Sequence, residues 1–234
     1  MSKEVLIDDY RFNGAMKPPA VASVLQGPWC SKITGSGPPT VAAASGGLMQ
    51  LALEATSEVQ NACFYMGDVL PYGIDELIQV DIWAKVTASL NAAVSASYGL
   101  ASARNDALAS IAQRVLFKCV GSNALVLDAV DGTNSLTAQA TGVTLGTTLV
   151  KHTLEFKSGV STGLPGQAKG GKYNILASVE DANGNLRRVA QSAVLNMGAY
   201  TGNLQLFAQI QKTSATAVGT LSIQRMRVKY RRAA

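Results

Sequence analysis

Residues Leu204 to Arg232 read LQLFAQIQKTSATAVGTLSIQRMRVKYRR, and the fold class turns on how this stretch is parsed. In its first arm Leu204, Leu206, Ala208 and Ile210 share one parity and Gln205, Gln209 and Gln211 the other, with Phe207 the exception. A period of two is the mark of a strand with one buried face. After a small-residue loop containing Gly219, the second arm opens with Leu221 and Ile223. Beyond Gln224 the apolar parity moves to Met226, Val228 and Tyr230, a phase change that predicts a β-bulge. The opposite face then carries Arg225, Arg227, Lys229 and Arg231. The expectation is a long antiparallel terminal pair with one apolar and one cationic face.

The remaining chain extends this β pattern. Met49, Leu51 and Leu53 share one face of a strand, and Val59 to Met66 is expected to pair with it through Ala55-Thr56-Ser57. The strongest alternation sets Ile78, Val80, Ile82, Ala84 and Val86 against Gln79, Asp81, Trp83 and Lys85. Asn105-Asp106 offers an N-cap for one short helix of about two turns over ALASIAQ. Hairpins are expected across Gly121-Ser122-Asn123 and Asp181-Ala182-Asn183-Gly184, and Val150, His152, Leu154 and Phe156 mark a further strand. Gly159 to Lys172 is a glycine-rich loop. Many short antiparallel strands at this spacing predict an all-β fold, a two-sheet jelly-roll sandwich over residues 46–234. Residues 1–45 hold five of the seven prolines and are expected to form an extended N-terminal arm with Tyr10, Phe12, Val24, Leu25 and Trp29 as anchors.

Composition narrows the function classes. Charged residues make up only 15% of the chain, which suits a surface largely covered by neighbours. No apolar run is long enough for a transmembrane helix, and MSKEVLIDDYRFNG places acids where a signal peptide needs an apolar core. Cys30, Cys63 and Cys119 lack metal or redox spacing and read as free thiols, two of them within apolar strands. No acid follows Asp181, whereas eight basic residues do. Such a basic end suits nucleic acid, an anionic surface or an acidic protein. Aromatics do not interleave these charges except at Tyr230, which speaks against nucleic acid. The cationic strand is either a solvated edge or a patch facing a partner's acids. The lack of a later acid favours the partner, although Asp81 or Glu155 could supply charge from an earlier strand.

Enzyme signatures are weak. His152, the sole histidine, falls on an apolar face and has no nucleophile motif beside it. Asp128 and Asp131-Gly132 lack calcium-loop spacing and read as turn chemistry, and Asp75-Glu76 has no identifiable partner across a cleft. GLPGQAKGGK, within residues 163–172, lacks the ending of a phosphate loop. The chain is expected to have no catalytic residue, metal or cofactor.

An ordered set of segments carries a family resemblance: PWCSKITGSG at 28–37, GGLMQLALEATSEVQNACFYMGDVLPYGIDEL at 46–77, YGLASARNDALASIAQRVLFKCVGSNALVLDAVDGTN at 98–134, VKHTLEFKSGV at 150–160 and YTGNLQLFAQIQKTSATAVGTLSIQRMRVKY at 200–230. In these the chain resembles the jelly-roll decoration (cement) proteins on tailed-phage heads. The resemblance implies a non-enzymatic homotrimer, made in the host bacterial cytoplasm, that binds the phage major capsid protein and reinforces the outer capsid surface. Membrane and nucleic acid are not implied partners. The residues expected to bind a partner are Tyr10, Phe12, Trp29, Arg225, Arg227, Lys229 and Arg231. The alternative is a carbohydrate-binding or receptor-binding jelly-roll domain, for which Trp83 and Tyr98 are the candidate aromatics; an enzyme acting on glycans comes third.

Overall fold

Alternating side chains and frequent turns give sixteen strands in a computed structural model that describes residues 4–12, 27–87, 89–157, 172, 174–181, 183–189 and 195–231. In chain order they are β1 (Val5–Arg11), β2 (Cys30–Thr34), β3 (Thr40–Ala44), β4 (Leu48–Ala52), β5 (Glu58–Tyr65), β6 (Tyr72–Gly73), β7 (Leu77–Val86) and β8 (Val94–Ala101). They continue as β9 (Arg114–Val120), β10 (Ala124–Val130), β11 (Ser135–Thr144), β12 (Val150–Lys157), β13 (Asn174–Glu180), β14 (Leu186–Arg188), β15 (Asn203–Ala215) and β16 (Thr220–Arg231). Two antiparallel eight-stranded sheets form the all-β sandwich. The first runs β14-β13-β12-β7-β16-β4-β3, with β1 also on β16; the second runs β11-β10-β9-β8-β15-β5-β2, with β6 also on β15.

The core lies between the inner faces. Val80, Ile82, Ala84, Leu154, Met226 and Val228 from the first sheet meet Phe64, Leu100, Phe117, Leu125, Leu206 and Ile210 from the second, all fully or nearly fully buried. The expected bulge is present, as a register shift between Ile223 and Arg225 where β16 runs along β7. His152 sits in this core, its Nε2 3.2 Å from the Tyr98 hydroxyl. Burial pushes its imidazole pKa down to about 4. The three cysteines are free and buried. Desolvation raises the Cys63 pKa and pushes Cys119 up to about 12, so neither is a reactive thiolate at neutral pH.

Several connections differ from the sequence reading. The terminal arms are not a hairpin: β15 is in the second sheet and β16 in the first, and residues 216–219 cross between layers. The same holds for β4 and β5, joined through residues 53–57. These crossings satisfy each other, since Leu53 N–H donates to Gly219 O at 3.0 Å. The buried Lys212 ammonium donates to the carbonyls of Glu54 and Thr56. Alternation is satisfied equally by a partner alongside or across the core, and here backbone groups at the crossings find partners that a hairpin would not supply.

The expected helix is a single 3-10 turn, Leu108–Ser110. Asn105 Oδ1 does accept the Ala107 N–H, but Ala107 and Ile111 are both extended, so the turn does not propagate. The β9–β10 and β13–β14 pairs form, with residue 173, Ala182 of the expected turn and residues 190–194 of the second expected arm outside the described set.

The expected arm is largely woven into the sandwich. β1 pairs along the whole second half of β16, β2 pairs with β5 and β3 with β4. Edge strands tolerate flanking prolines, and β2 and β3 are the edges next to Pro28, Pro38 and Pro39. Val24, Leu25 and most of the 159–172 loop lie outside the described residues.

Candidate functional site

The outward row of β15 is Gln205, Phe207, Gln209 and Gln211, flanked by Asn61, Cys63 and Tyr65 on β5 and by Ser95, Ser97 and Gly99 on β8. Phe207, which broke the alternation, is fully buried on this outer face. It is covered by residues 102–113, whose Leu108 and Ile111 pack with Cys30, Cys63, Tyr65, Leu116 and Phe207 in a second apolar cluster. The cover spans only part of the sheet. Where it ends, a groove of about 480 Å³ opens, lined by Thr34, Asn61, Ser95, Asp106, Val120 and Gln211 among others. A second recess of about 450 Å³ continues from it, sharing Ser95, Ala107, Val120 and Gln211 and reaching Lys118 and Asp128.

Amide side chains from the strands hold the cover. Asn61 Nδ2 and Gln209 Nε2 donate to the Asp106 carbonyl at 3.1 and 3.0 Å, and Gln209 Nε2 also donates to Gln211 Oε1 at 2.9 Å. The Thr34 hydroxyl donates to the Asp106 carboxylate at 3.3 Å. These bonds use the amide N–H groups and leave Asn61 Oδ1 and Gln209 Oε1 buried without a partner. A buried acceptor left unmade costs about 1–3 kcal/mol. Asn61 and Gln211 also line the groove. In the recess the fully buried Asp128 accepts from Lys118 Nζ at 2.8 Å and from the Ala138 N–H at 2.8 Å, with Arg114 Nε 3.5 Å away. Arg114 and Lys118 thus hold that carboxylate in place. Among the described residues no three His, Cys, Asp or Glu side chains converge to hold a metal.

The residues expected to bind a partner are placed elsewhere. Trp29 is fully buried, stacked on Phe64 at 4.3 Å and 16°. Phe12 is buried against Trp29 and Phe64. Both are core residues, a correction that follows from β1 and β2 belonging to the sheets. Tyr10 is half-buried with its edge on Trp29, and its hydroxyl is 3.1 Å from that of Tyr72.

The cationic strand is partly neutralised within the chain, another correction. Arg225 donates from Nε and Nη2 to the two Asp9 oxygens at 2.6 and 2.7 Å. That pairing holds the Asp9 carboxyl below its usual range. Arg227 donates to Asp81, from Nε at 3.0 Å. Burial pushes the Asp81 pKa up, but hydrogen bonds from Thr153, Gln79 and Arg227 together outweigh it and hold the pKa below the usual range. Lys229 is half-buried and Arg231 exposed, and neither has an ion pair among the described residues.

Trp83 has the Arg225 guanidinium 4.6 Å over its ring, with Lys151 and Arg227 each 5.6 Å away, and Tyr98 is fully buried. Neither forms an open aromatic platform. Asp131 accepts the N–H groups of Thr133, Asn134 and Ala199, the turn chemistry its sequence suggested.

No protein-family model matches this chain, and no curated protein matches its sequence. Its fold does match solved structures. A protein of unknown function from Shewanella oneidensis MR-1 is similar with TM-score 0.63 and 12% identity, over 100% of this chain and 91% of that one. The carbohydrate recognition domain of Emp47p aligns with TM-score 0.56 and 8% identity, over 95% and 94%. A β-1,3-1,4-glucanase (lichenase) derived from a mouse hindgut metagenome aligns with TM-score 0.55 and 7% identity, over 95% and 98%. At these identities the likeness is one of fold, the two-sheet jelly-roll β-sandwich.

Proposed function

We propose that this chain is a carbohydrate-binding domain that takes a saccharide in the groove beside the 102–113 cover. The observation that carries this reading is a mainly apolar groove with a few polar side chains, Asn61, Ser95, Gln211 and the Asp106 carboxylate, along its lining. Vicinal hydroxyls both donate and accept, which suits a row of amides, a hydroxyl and a carboxylate. The neighbours named for carbohydrate recognition and glucan cleavage support the ligand class. Binding is favoured over hydrolysis because Asp128 is committed to Arg114 and Lys118 and Asp106 is ion-paired with Arg104, leaving no free pair of carboxylates among the described lining residues. The test is a panel of immobilised glycans probed with the purified chain and with Asn61→Ala. The reading expects a hit that the variant loses, and a panel with no hit would defeat it.

A second reading, attachment to a phage capsid lattice as a homotrimer on the virion exterior, is favoured by the low charge and by exposed apolar side chains. Val5, Ile7, Val59, Val69 and Val120 are each about half or more exposed. Co-sedimentation of the chain with intact particles, absent for a Val5→Asp, Ile7→Asp double variant, would support it.

A further inference from the structure

The outer face of the first sheet holds an arrangement that stability alone does not account for. Arg11 on β1 stands directly opposite Arg225 on β16, and like charges directly opposed across a pair of strands are destabilising. The register of β1 on β16 is unbroken up to this pair, and Trp83 fixes the Arg225 guanidinium by stacking. One carboxylate serves both arginines: Asp9 accepts from Arg225 through both oxygens and from Arg11 Nε at 3.1 Å. Asp81 is engaged by Arg227, Asp8 is on the other face of β1 where it accepts from the Tyr72 hydroxyl, and Lys229 and Arg231 continue the cationic face, so the two arginines share one carboxylate and keep a net positive charge. The two arginines border a recess of about 270 Å³ whose other walls are Gly46, Gly47 and Gln224.

Both glycines have positive φ, +78° and +70°, and a Cβ on Gly46 would meet nothing within 4 Å. Their backbone N–H groups carry no hydrogen bond among the described residues. Arg225 Nη1 and both terminal nitrogens of Arg11 are likewise uncommitted by hydrogen bonds. The recess therefore gathers guanidinium donors and free amide donors around a net positive charge, and an approach without side chains is open on its glycine side.

We propose that this recess binds a tetrahedral oxyanion, sulfate or phosphate, either as the free ion or as an ester on a saccharide. A guanidinium presents paired N–H donors at the spacing of two such oxygens, and backbone amides add donors without a desolvated charge of their own. The site is on the sheet opposite the saccharide groove and stands or falls separately from it.

Equilibrium titration of the full chain at constant ionic strength tests it, with sodium sulfate, sodium phosphate, a sulfated disaccharide and its unsulfated form. Arg11→Gln is the informative variant because Arg11 is well exposed, and Lys229→Gln controls for the general field of the strand. Saturable anion binding is expected, weakened about tenfold by Arg11→Gln, a loss of the size one charge-assisted contact supplies, and nearly unchanged by Lys229→Gln. A sulfated disaccharide that binds well above sulfate assigns the ester as the source, and parity assigns the free ion; either outcome supports the site. It is overturned if no anion binds saturably, if both variants weaken binding alike, or if a glutamate-rich peptide binds where sulfate and phosphate do not.

Discussion

Replacing Trp29 with alanine separates a woven N-terminal segment from one laid over a neighbour. The indole is fully buried, stacked on Phe64 at 4.3 Å, with Tyr10 and Phe12 at ring distances of 5.2 and 5.7 Å. Truncating a buried tryptophan to alanine costs about 3–5 kcal/mol in lost transfer energy and residual cavity. One contribution acts the other way. The indole Nε1 is buried without a hydrogen-bond partner, and removing it recovers about 1 kcal/mol of an unmade bond. The expected loss is therefore about 3 kcal/mol, or roughly 6–12 °C in Tm for a chain of this size. Urea unfolding followed by far-ultraviolet circular dichroism measures it without relying on tryptophan fluorescence. Two protein concentrations tenfold apart should give the same midpoint shift. A variant within about 0.5 kcal/mol of wild type, or a shift that depends on concentration, would mean Trp29 is not in this chain's own core.

The Asp81–Arg227 and Asp9–Arg225 ion pairs should differ sharply in worth. Asp81→Ala removes a nearly fully buried carboxylate that also accepts from Thr153 at 2.7 Å, and should cost about 3 kcal/mol or more in urea melts. Asp9→Ala removes a partly exposed pair and should cost less than about 1 kcal/mol; equal losses would contradict this ranking. His152 gives a pH signature. Its pKa is depressed on folding, so its contribution is fully present above the unfolded value of about 6.5 and is lost as pH falls from there towards 4, by up to about 3 kcal/mol. His152→Leu should flatten the fall in urea midpoint between pH 6.5 and 4.5, and an unchanged slope would show that other groups govern acid stability.

Strand identity and facing were legible because a buried face imposes a period of two wherever it occurs. Val80, Ile82 and Ala84, and Leu204, Leu206, Ala208 and Ile210, all face the core as their parity implied. Pairing was not legible, because Leu221 and Ile223 bury equally well beside β15 or across from it. The layer crossing depends on Lys212 reaching carbonyls 156 and 158 residues away in sequence. The arm was not legible as part of the sandwich for a related reason: proline density excludes long strands, yet seven residues ahead of the first proline and two five-residue strands next to Pro28, Pro38 and Pro39 suffice to join the sheets. Asp9 and Asp81 neutralise their arginines across 216 and 146 residues, which only the register of β1, β7 and β16 reveals. The groove left one trace in the sequence. Phe207, apolar on the polar parity, marks where the outer face is covered.

Steric closure of the groove beside the 102–113 cover tests saccharide binding there most directly. Val120 is 54% exposed, lines both the groove and its recess, and makes no polar contact that a substitution would break. Val120→Trp should therefore leave the urea midpoint within about 0.5 kcal/mol of wild type, as surface changes do. Calorimetric titration with the best glycan from the panel should show saturable binding to wild type and none measurable to Val120→Trp. Undiminished glycan binding by the folded variant would contradict the account and place the ligand elsewhere on the molecule.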